Sequence, residues 1–116
     1  MIQTITLEGG KTVELAANAA TPFRFKQLFN ADLFRIFHQS AQDEAEATIM
    51  ADVVTQLAFI MNKQAEGANM NTMSMEDFYS WLEDYEPMDF VVKGEEIIKI
   101  YLASAQTTVE AKKKQK

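Results

Sequence analysis

The sequence predicts a mainly α-helical protein, a small domain of about four to five helices with an N-terminal β-hairpin. Three observations predict this fold class. Apolar residues recur at three- and four-residue steps over residues 43–63, the spacing of one face of a helix. Apolar residues at helical spacing also occupy 21–37 and 75–105. Residues 1–16, in contrast, are rich in strand-forming residues on both sides of a glycine pair.

Composition limits the number of domains and the compartment. With 116 residues, of which 47% are hydrophobic and 24% charged, the chain is predicted to form one soluble domain, residues 1–106. A disordered, lysine-rich tail is predicted at 107–116. No apolar run is long enough to cross a membrane, and no signal-peptide pattern opens the chain. We therefore expect a cytoplasmic protein with no membrane partner.

The net charge of −6 is unevenly distributed along the chain. Residues 110–116 hold four lysines and one glutamate, a net charge of +3, so the remaining residues carry −9. Because binding to a phosphate backbone requires clustered lysine and arginine, this acidic body argues against nucleic acid as a partner. With no cysteine and a single histidine, His38, the chain also lacks the residues of thiolate or multi-histidine metal sites.

The register of the hairpin in residues 1–16 is predicted from its apolar residues. A two-residue turn at the glycine pair would divide these residues between the two faces of the hairpin. Pairing Leu7 with Val13 and Ile5 with Leu15 instead places all four on one face. Since a slip of one residue moves every side chain to the other face, we predict this longer, bulged turn. The apolar face should then pack on the helices.

The segment 21–37 is predicted to form two short helices. Thr21 is the expected N-cap, and Pro22 suits the first helical position. Asn30 tolerates a left-handed conformation, so we expect it to end the first helix. Five phenylalanines are more than one helical face can bury, so they form either a dense core or a contact with a partner. They are Phe23, Phe25, Phe29, Phe34 and Phe37.

Residues 43–63 are predicted to form the central helix, around which the other elements pack. Its first turn is acidic, as the helix dipole favours, and Gly67 lies where the chain can leave the helix. Phe59 departs from the apolar face, because at 100° per residue it falls over Asp52 on the polar side. Either the segment around Trp81 covers Phe59, or Phe59 belongs to a surface that meets another subunit or a partner.

Two further helices are predicted after the central one. Ser74 is a suitable N-cap for a helix from 75 to about 85, with acidic residues in its first turn. Pro87 permits the start of a final helix that runs to about residue 105. Gly94 would lie inside that helix at a cost of roughly 1 kcal/mol relative to alanine, and a close approach of another helix would explain it.

The sequence contains no motif for catalysis, for a cofactor or for a metal ion, so we predict that the protein is not an enzyme. The neighbouring carboxylates Glu83, Asp84 and Glu86 are typical of a solvated surface, and His38 has no evident acid or nucleophile beside it. Protein binding is the remaining kind of site. The predicted protein-interaction residues are all aromatic: Phe25, Phe29, Phe34, Phe59 and Trp81.

Four segments, in order and spacing, resemble the tail assembly chaperones of long-tailed, siphovirus-type phages and prophages of Gram-positive bacteria. The run from Thr21 to Leu33 resembles the family's helix with an aromatic start, a Phe-Gly pair and an aspartate, although Asn30 replaces the glycine. Residues 57–65, Leu-Ala-Phe-Ile-Met-Asn-Lys-Gln-Ala, resemble its central stretch. The Phe-Tyr-Ser-Trp-Leu motif that begins at Phe78 and the ending from Tyr101 resemble its last two segments.

This resemblance implies a non-enzymatic chaperone. Such a protein binds and solubilises the tape measure protein during tail morphogenesis and is displaced as tail tube subunits polymerise. Its implied partners are the tape measure protein, the tail tube protein, other copies of itself and a longer form made by ribosomal frameshifting, for which the codons of Lys112–Lys114 are a suitable place. It would act in the host cytoplasm and be absent from the mature virion.

Two other functions fit the composition. One is a small acidic helical adaptor or regulatory protein, which the acidic body and surplus aromatic residues would suit. The other is a structural component of the virion, such as a head–tail connector. Gene order distinguishes the three, because a tail assembly chaperone should be encoded between the tail tube gene and a very long tape measure gene.

Overall fold

The computed structural model describes residues 2–36 and 50–103, apart from the side chains of residues 50 and 51. These residues form a two-stranded antiparallel hairpin, five α-helices and one 3₁₀ turn, which confirms the predicted fold class. The elements in chain order are β1 (Ile2–Thr6), β2 (Thr12–Ala16), α1 (Thr21–Phe29), α2 (33–36), α3 (Met50–Ala65), a 3₁₀ turn (Met70–Thr72), α4 (Met75–Leu82) and α5 (94–103). The predictions for 37–49 and for the tail at 107–116 lie outside the described residues.

The hairpin presents one apolar face, as predicted, but in a different register. Ile5 pairs with Val13 and Thr6 with Thr12, so each residue of β1 faces a partner two positions earlier than we predicted. A shift of two residues keeps every side chain on its face, because side chains alternate with a period of two. Ile5, Val13 and the other two apolar residues of this face, Leu7 and Leu15, are therefore all buried. This face packs on α3.

A compact turn accounts for the observed register. The N–H of Gly10 donates to the carbonyl oxygen of Leu7 (2.9 Å), and the N–H of Leu7 donates to the carbonyl oxygen of Lys11 (2.8 Å). Gly10 has a φ of 92°, which favours glycine because it has no Cβ. The result is a three-residue loop that ends in a left-handed glycine, a common way to connect two strands.

Helix α1 begins differently from the prediction and ends as predicted. Thr21 is the first helical residue, and its hydroxyl oxygen accepts hydrogen bonds from the N–H of Asn18 (3.0 Å) and from Nε2 of Gln64 (2.9 Å). The side chain of Thr21 therefore links the start of α1 to α3 instead of capping its own helix. At the other end, Asn30 has the left-handed values φ 54° and ψ 41°, which confirms the predicted break before α2.

Helix α3 is the centre of the packing. Five consecutive residues, 57–61, have no exposed surface, so this part of the helix is covered on every side. The hairpin, α1 and α4 each contact α3. The helix ends as predicted, with Gly67 at φ 73° and two bonds that satisfy its last carbonyls: Gly67 N–H to Gln64 O (3.1 Å) and Ala68 N–H to Lys63 O (3.0 Å).

Helix α4 has the predicted N-cap at Ser74, and this cap is a capping box in which Ser74 and Asp77 each bond the other's backbone N–H. The final helix starts later than predicted, at Gly94, because residues 87–93 form successive turns. These turns place Phe90 in the core, where its ring stacks on Trp81 at 4.8 Å. No helix among the described residues combines the length and apolar character of a membrane span.

Gly94 lies beside α3, but the space there is large enough for the Cβ of another residue. A Cβ at Gly94 would lie 3.5 Å from Cγ2 of Val54, an ordinary van der Waals distance. The predicted explanation, a helix approach too close for a side chain, is therefore wrong, and Gly94 is the first residue of α5 instead of an interior one.

Candidate interaction surface

A chain of aromatic contacts joins α1, α3, α4 and the turns that follow α4. Phe29 of α1 meets Phe78 of α4 edge-on, with ring centroids 5.0 Å apart. Phe59 of α3 lies 5.2 Å from the rings of both Phe78 and Trp81. Trp81 in turn stacks on Phe90. Edge-to-face and offset-stacked contacts at these distances are favourable beyond the apolar area that they bury, so the cluster stabilises the position of α4.

Asn62 fixes the same part of α3 with polar contacts. Its side-chain oxygen accepts a hydrogen bond from the indole N–H of Trp81 (2.9 Å), and its side-chain nitrogen donates to the carbonyl oxygen of Glu14 (2.9 Å). Asn62 is buried, so both bonds lie where an unpaired polar group would be costly. One side chain of α3 therefore holds both β2 and α4 in place.

The structure separates the five predicted interaction residues into two groups. Phe25 and Phe59 have no exposed surface, Trp81 is buried, and Phe29 is half-buried against the core. In this conformation these four side chains pack inside the domain and contribute to its stability. Phe34 differs, because 62% of its surface is exposed. It is the predicted residue that is available to a partner.

The two alternatives for Phe59 are resolved by its neighbours. Phe59 lies on the same side of α3 as Asp52 and Gln56, as the helical spacing predicts. Helix α4 covers this side at Phe59 through Phe78 and Trp81. The cover does not extend toward the start of α3, where Gln56 is half-buried and Asp52 is exposed. A cleft lies at that position.

This cleft lies between α3 and the chain from α4 to residue 91, and has a volume of about 410 Å³. It is open to solvent along one side. The lining side chains are mostly apolar: Phe78, Leu82, Tyr85, Pro87, Phe90 and Val91. Polar side chains contribute the remainder of the lining: Asp52, Thr55, Gln56 and Glu86. The volume of the cleft falls within the range of small-molecule sites, but its open side makes it a groove for a partner's side chain more than an enclosing pocket.

Sequence reasoning missed the cleft and several exposed apolar residues. Phe23 is 67% exposed, and a helical wheel already places it roughly opposite the buried Phe25, since two residues differ by about 200°. Met88 and Val92 are 57% and 50% exposed and lie one turn apart, joined by the hydrogen bond from Val92 N–H to Met88 O (3.1 Å). No sequence signal identified the cleft, because its walls come from elements that are distant in the chain.

Electrostatics near the cleft are dominated by acidic groups. Partial burial is the main cause that raises the pKa of Tyr85, and the nearby carboxylates of Asp84, Glu66 and Asp89 raise it further. Lys11 of the hairpin turn lies over the Tyr85 ring, 4.7 Å from its centroid, and its amine donates to the carbonyl oxygen of Asp84. The cation of Lys11 is thus held on the hairpin side of Tyr85.

Tyr101 of α5 is the second tyrosine with a raised pKa. Burial is again the main cause, followed by the negative charge of Asp32 at the start of α2. Within residues 2–36 and 50–103, no group of three or more histidine, cysteine, aspartate or glutamate residues could hold a metal ion.

The arrangement can bury apolar side chains of a partner and attract positive charge. Comparison with protein-family models, curated proteins and solved structures found no significant match to this chain. The resemblance seen in the sequence therefore stays a prediction, and the case for a function depends on the residues of the chain itself.

Proposed function

We propose that this protein is a phage tail assembly chaperone that binds and solubilises the tape measure protein during tail morphogenesis and is displaced as tail tube subunits polymerise. The ordered resemblance of four segments, from Thr21 to the ending after Tyr101, carries this proposal. The mainly helical domain supports it, because the first three segments supply α1, the buried part of α3 and α4. No catalytic group is needed for such a role.

The exposed phenylalanines provide a physical means of binding. Phe23 and Phe34 both lie within or next to the first of the four segments and expose more than half of their surface. A single exposed apolar residue is ordinary in a soluble protein. Two phenylalanines in one short stretch, on an otherwise acidic and soluble body, are a reasonable contact for the apolar faces of a long helical protein that would aggregate alone.

Co-expression tests the proposal directly. The chain would be produced together with the tape measure protein encoded beside it, and the soluble fraction of the tape measure protein would be measured. We expect the chain to keep that protein soluble and to copurify with it. The double variant Phe23→Ser/Phe34→Ser should lose much of this effect. Ile2→Ser, which removes an exposed apolar side chain from the hairpin, is the matched control and should retain it.

The outcomes also separate the proposal from its alternatives. A tape measure protein that stays insoluble with the chain present would contradict the chaperone function. Detection of the chain in purified mature virions would favour the structural-component alternative. Copurification with a host protein in place of the tape measure protein would favour the adaptor.

Self-association is part of the same proposal, because coating a long protein requires many copies. Homo-oligomers and assemblies with the longer frameshifted form are the expected species, in the host cytoplasm. Sedimentation of the purified chain at micromolar concentration should show species larger than the monomer of 13.1 kDa. A monomer alone over that range would count against the coating role.

A further inference from the structure

We propose that the cleft between α3 and residues 82–91 is a docking site for a helical segment of a partner polypeptide that presents a large apolar side chain next to a lysine or arginine. The proposal rests on the proposed function only in identifying that partner as the tape measure protein. The cleft, its charge and its rigidity are features of the chain itself.

The apolar wall of the cleft is held in place before any partner arrives. Phe90 is stacked on Trp81 and meets Tyr85 edge-on, with ring centroids 4.8 Å apart in both pairs. Phe78 is fixed between Phe29 and Phe59. Side chains that are already ordered lose little conformational entropy on binding, so such a wall favours affinity.

The rim of the cleft selects the charge of the partner. Asp52 and Glu86 contribute carboxylates, and none of the described residues that line the cleft is lysine or arginine. Neither carboxylate forms an ion pair with a residue that the structure describes. The neighbouring cation of Lys11 is held by the Asp84 carbonyl and the Tyr85 ring. A positive charge on the partner would therefore meet unpaired negative charge.

The extent of the apolar surface argues for a polypeptide. Met88 and Val92 are next in the chain to the lining residues Pro87 and Val91, and their exposed side chains form a second apolar area outside the lining of the cleft. A helical partner could insert one large side chain into the cleft and lay its next turn on this outer area. A small ligand would use the cleft and leave the outer area uncovered.

The chain's own segments outside the described residues match this chemistry poorly. Residues 37–49 carry three carboxylates and no lysine or arginine, so the acidic rim would repel them. Residues 104–116 are basic, but valine is their largest apolar residue. They could neutralise the rim without filling the apolar cleft. A separate partner that combines both features fits better.

Titration of the isotope-labelled, full-length chain with defined peptides tests this inference by NMR. The first probe is an amphipathic helical peptide of leucines with lysines at i, i+4 spacing, and the second has glutamate at every lysine position. We expect the lysine peptide to shift the amide signals of Gln56, Glu86 and Val91, and the glutamate peptide to bind at least about tenfold more weakly.

A charge-reversal pair provides the matched comparison. Asp52→Lys/Glu86→Lys should weaken binding of the lysine peptide by about tenfold or more. The control Glu8→Lys/Glu14→Lys changes the net charge equally at exposed hairpin positions and should alter binding less than about twofold. Equal effects of the two double variants, or shifts that map outside the cleft, would overturn the proposal, because only non-specific attraction to an acidic body would remain.

Other occupants give distinct results in the same experiment. If the amide NMR signals of the cleft residues shift with protein concentration in the absence of peptide, the cleft binds a second copy of the chain and the proposal is overturned. Cleft signals that move in the full-length variant Lys112→Gln/Lys113→Gln/Lys114→Gln would assign it to the chain's own tail, with the same consequence.

Co-expression of the two double variants with the tape measure protein completes the test. Loss of its solubilisation with Asp52→Lys/Glu86→Lys, but not with Glu8→Lys/Glu14→Lys, would support the cleft as its docking site. Full solubilisation by both double variants would leave the chaperone function intact and overturn the docking site. Peptide binding in the cleft without any solubilisation would support the docking site while the chaperone function fails.

Discussion

The two ends of α3 differ sharply in how they are covered. From Leu57 to Asn62 the helix is enclosed by the hairpin, α1 and α4, and Phe59 on its nominally polar side has no exposed surface. At Asp52 and Gln56, on that same side, the helix borders the open cleft. One stripe of one helix therefore serves two purposes: its later residues complete the core, and its earlier residues line a candidate docking site.

This difference shows that the helical spacing of residues determines which side a residue lies on, but not whether that side is covered. Helix α4 ends at Leu82, and the turns that follow it diverge enough to leave a cleft. The enclosed end should respond strongly to substitution, and the end beside the cleft weakly. Four predictions test or refine this contrast.

The largest effect is expected for Phe59→Ala at the enclosed end. Removing this ring leaves a cavity between Phe78 and Trp81, and should lower the free energy of unfolding by about 3–5 kcal/mol. Gln56→Ala, one turn earlier on the same side, should change it by less than about 0.5 kcal/mol. Urea unfolding followed by tryptophan fluorescence measures both. Similar losses for the two variants would show that the ends of α3 are equally enclosed.

The next largest effect is expected for Asn62→Leu. The indole N–H of Trp81 would remain buried without an acceptor, which should lower the free energy of unfolding by about 2 kcal/mol. The matched control is Gln56→Leu, the same kind of change from an amide to leucine beside the cleft, with an expected effect under about 0.5 kcal/mol.

A double-mutant cycle with Trp81→Phe identifies the cause of the Asn62 effect. Phenylalanine lacks the indole donor, so Asn62→Leu should be markedly less destabilising when Trp81→Phe is already present. Because Trp81 is the single tryptophan, urea unfolding in this cycle is followed by circular dichroism. Additive losses would mean that the hydrogen bond does not account for the effect.

Smaller effects, of opposite sign, are expected at two glycines: Gly67 after the end of α3, and Gly94 beside Val54 near its start. Gly67→Ala forces alanine into a φ of 73° after the enclosed end and should cost about 1 kcal/mol. Gly94→Ala places a methyl group at an ordinary 3.5 Å from Val54 and restricts the unfolded chain, so it should stabilise by about 0.4–1 kcal/mol. Thermal unfolding measures both, and a loss at Gly94 would show tighter packing against α3 than the distances indicate.

The smallest effect is a loss of folding stability at high pH, caused by titration of two tyrosines. The pKa values of Tyr85 and Tyr101 are raised above their ordinary value of 10.0 in the folded protein. Below pH 10 the folded and the unfolded chain both keep the phenol protons, so the contribution of these tyrosines to the free energy of unfolding is fully present. As pH rises through 10 toward the folded pKa values, the unfolded chain loses its protons first, so the stability falls.

Urea midpoints measured across that pH range should decline less steeply for Tyr85→Phe than for the natural sequence. Absorbance of the phenolate provides an independent measurement of the titration. A Tyr85 that loses its proton below pH 10 would contradict the acidic, partly buried surroundings derived for the cleft.

Local signals in the sequence predicted local structure well. The left-handed Asn30, the N-cap at Ser74 and the end of α3 before Gly67 all occur as predicted. Each depends on hydrogen bonds or dihedral preferences within about five residues, which the sequence displays directly. The single apolar face of the hairpin follows from strand alternation for the same reason.

The departures involve contacts between distant parts of the chain. The hairpin register differs by two residues, because alternation specifies the face and the loop geometry selects between registers of the same parity. Thr21 bonds to Gln64, 43 residues away, instead of capping its own helix. Residues 87–93 form turns instead of the predicted helix, and these turns bring Phe90 onto Trp81, a contact that helical spacing alone does not reveal.

The sequence by itself determined the fold class, the side of α3 on which Phe59 lies and the net acidic charge. The tertiary structure alone decided that Phe59 is covered and that Phe23 and Phe34 remain exposed. It also placed Asp52 and Glu86, which are 34 residues apart in the chain, in the lining of one cleft. The physical reason is that propensities and periodicity act over a few residues, whereas burial depends on which distant surfaces meet when the whole chain packs.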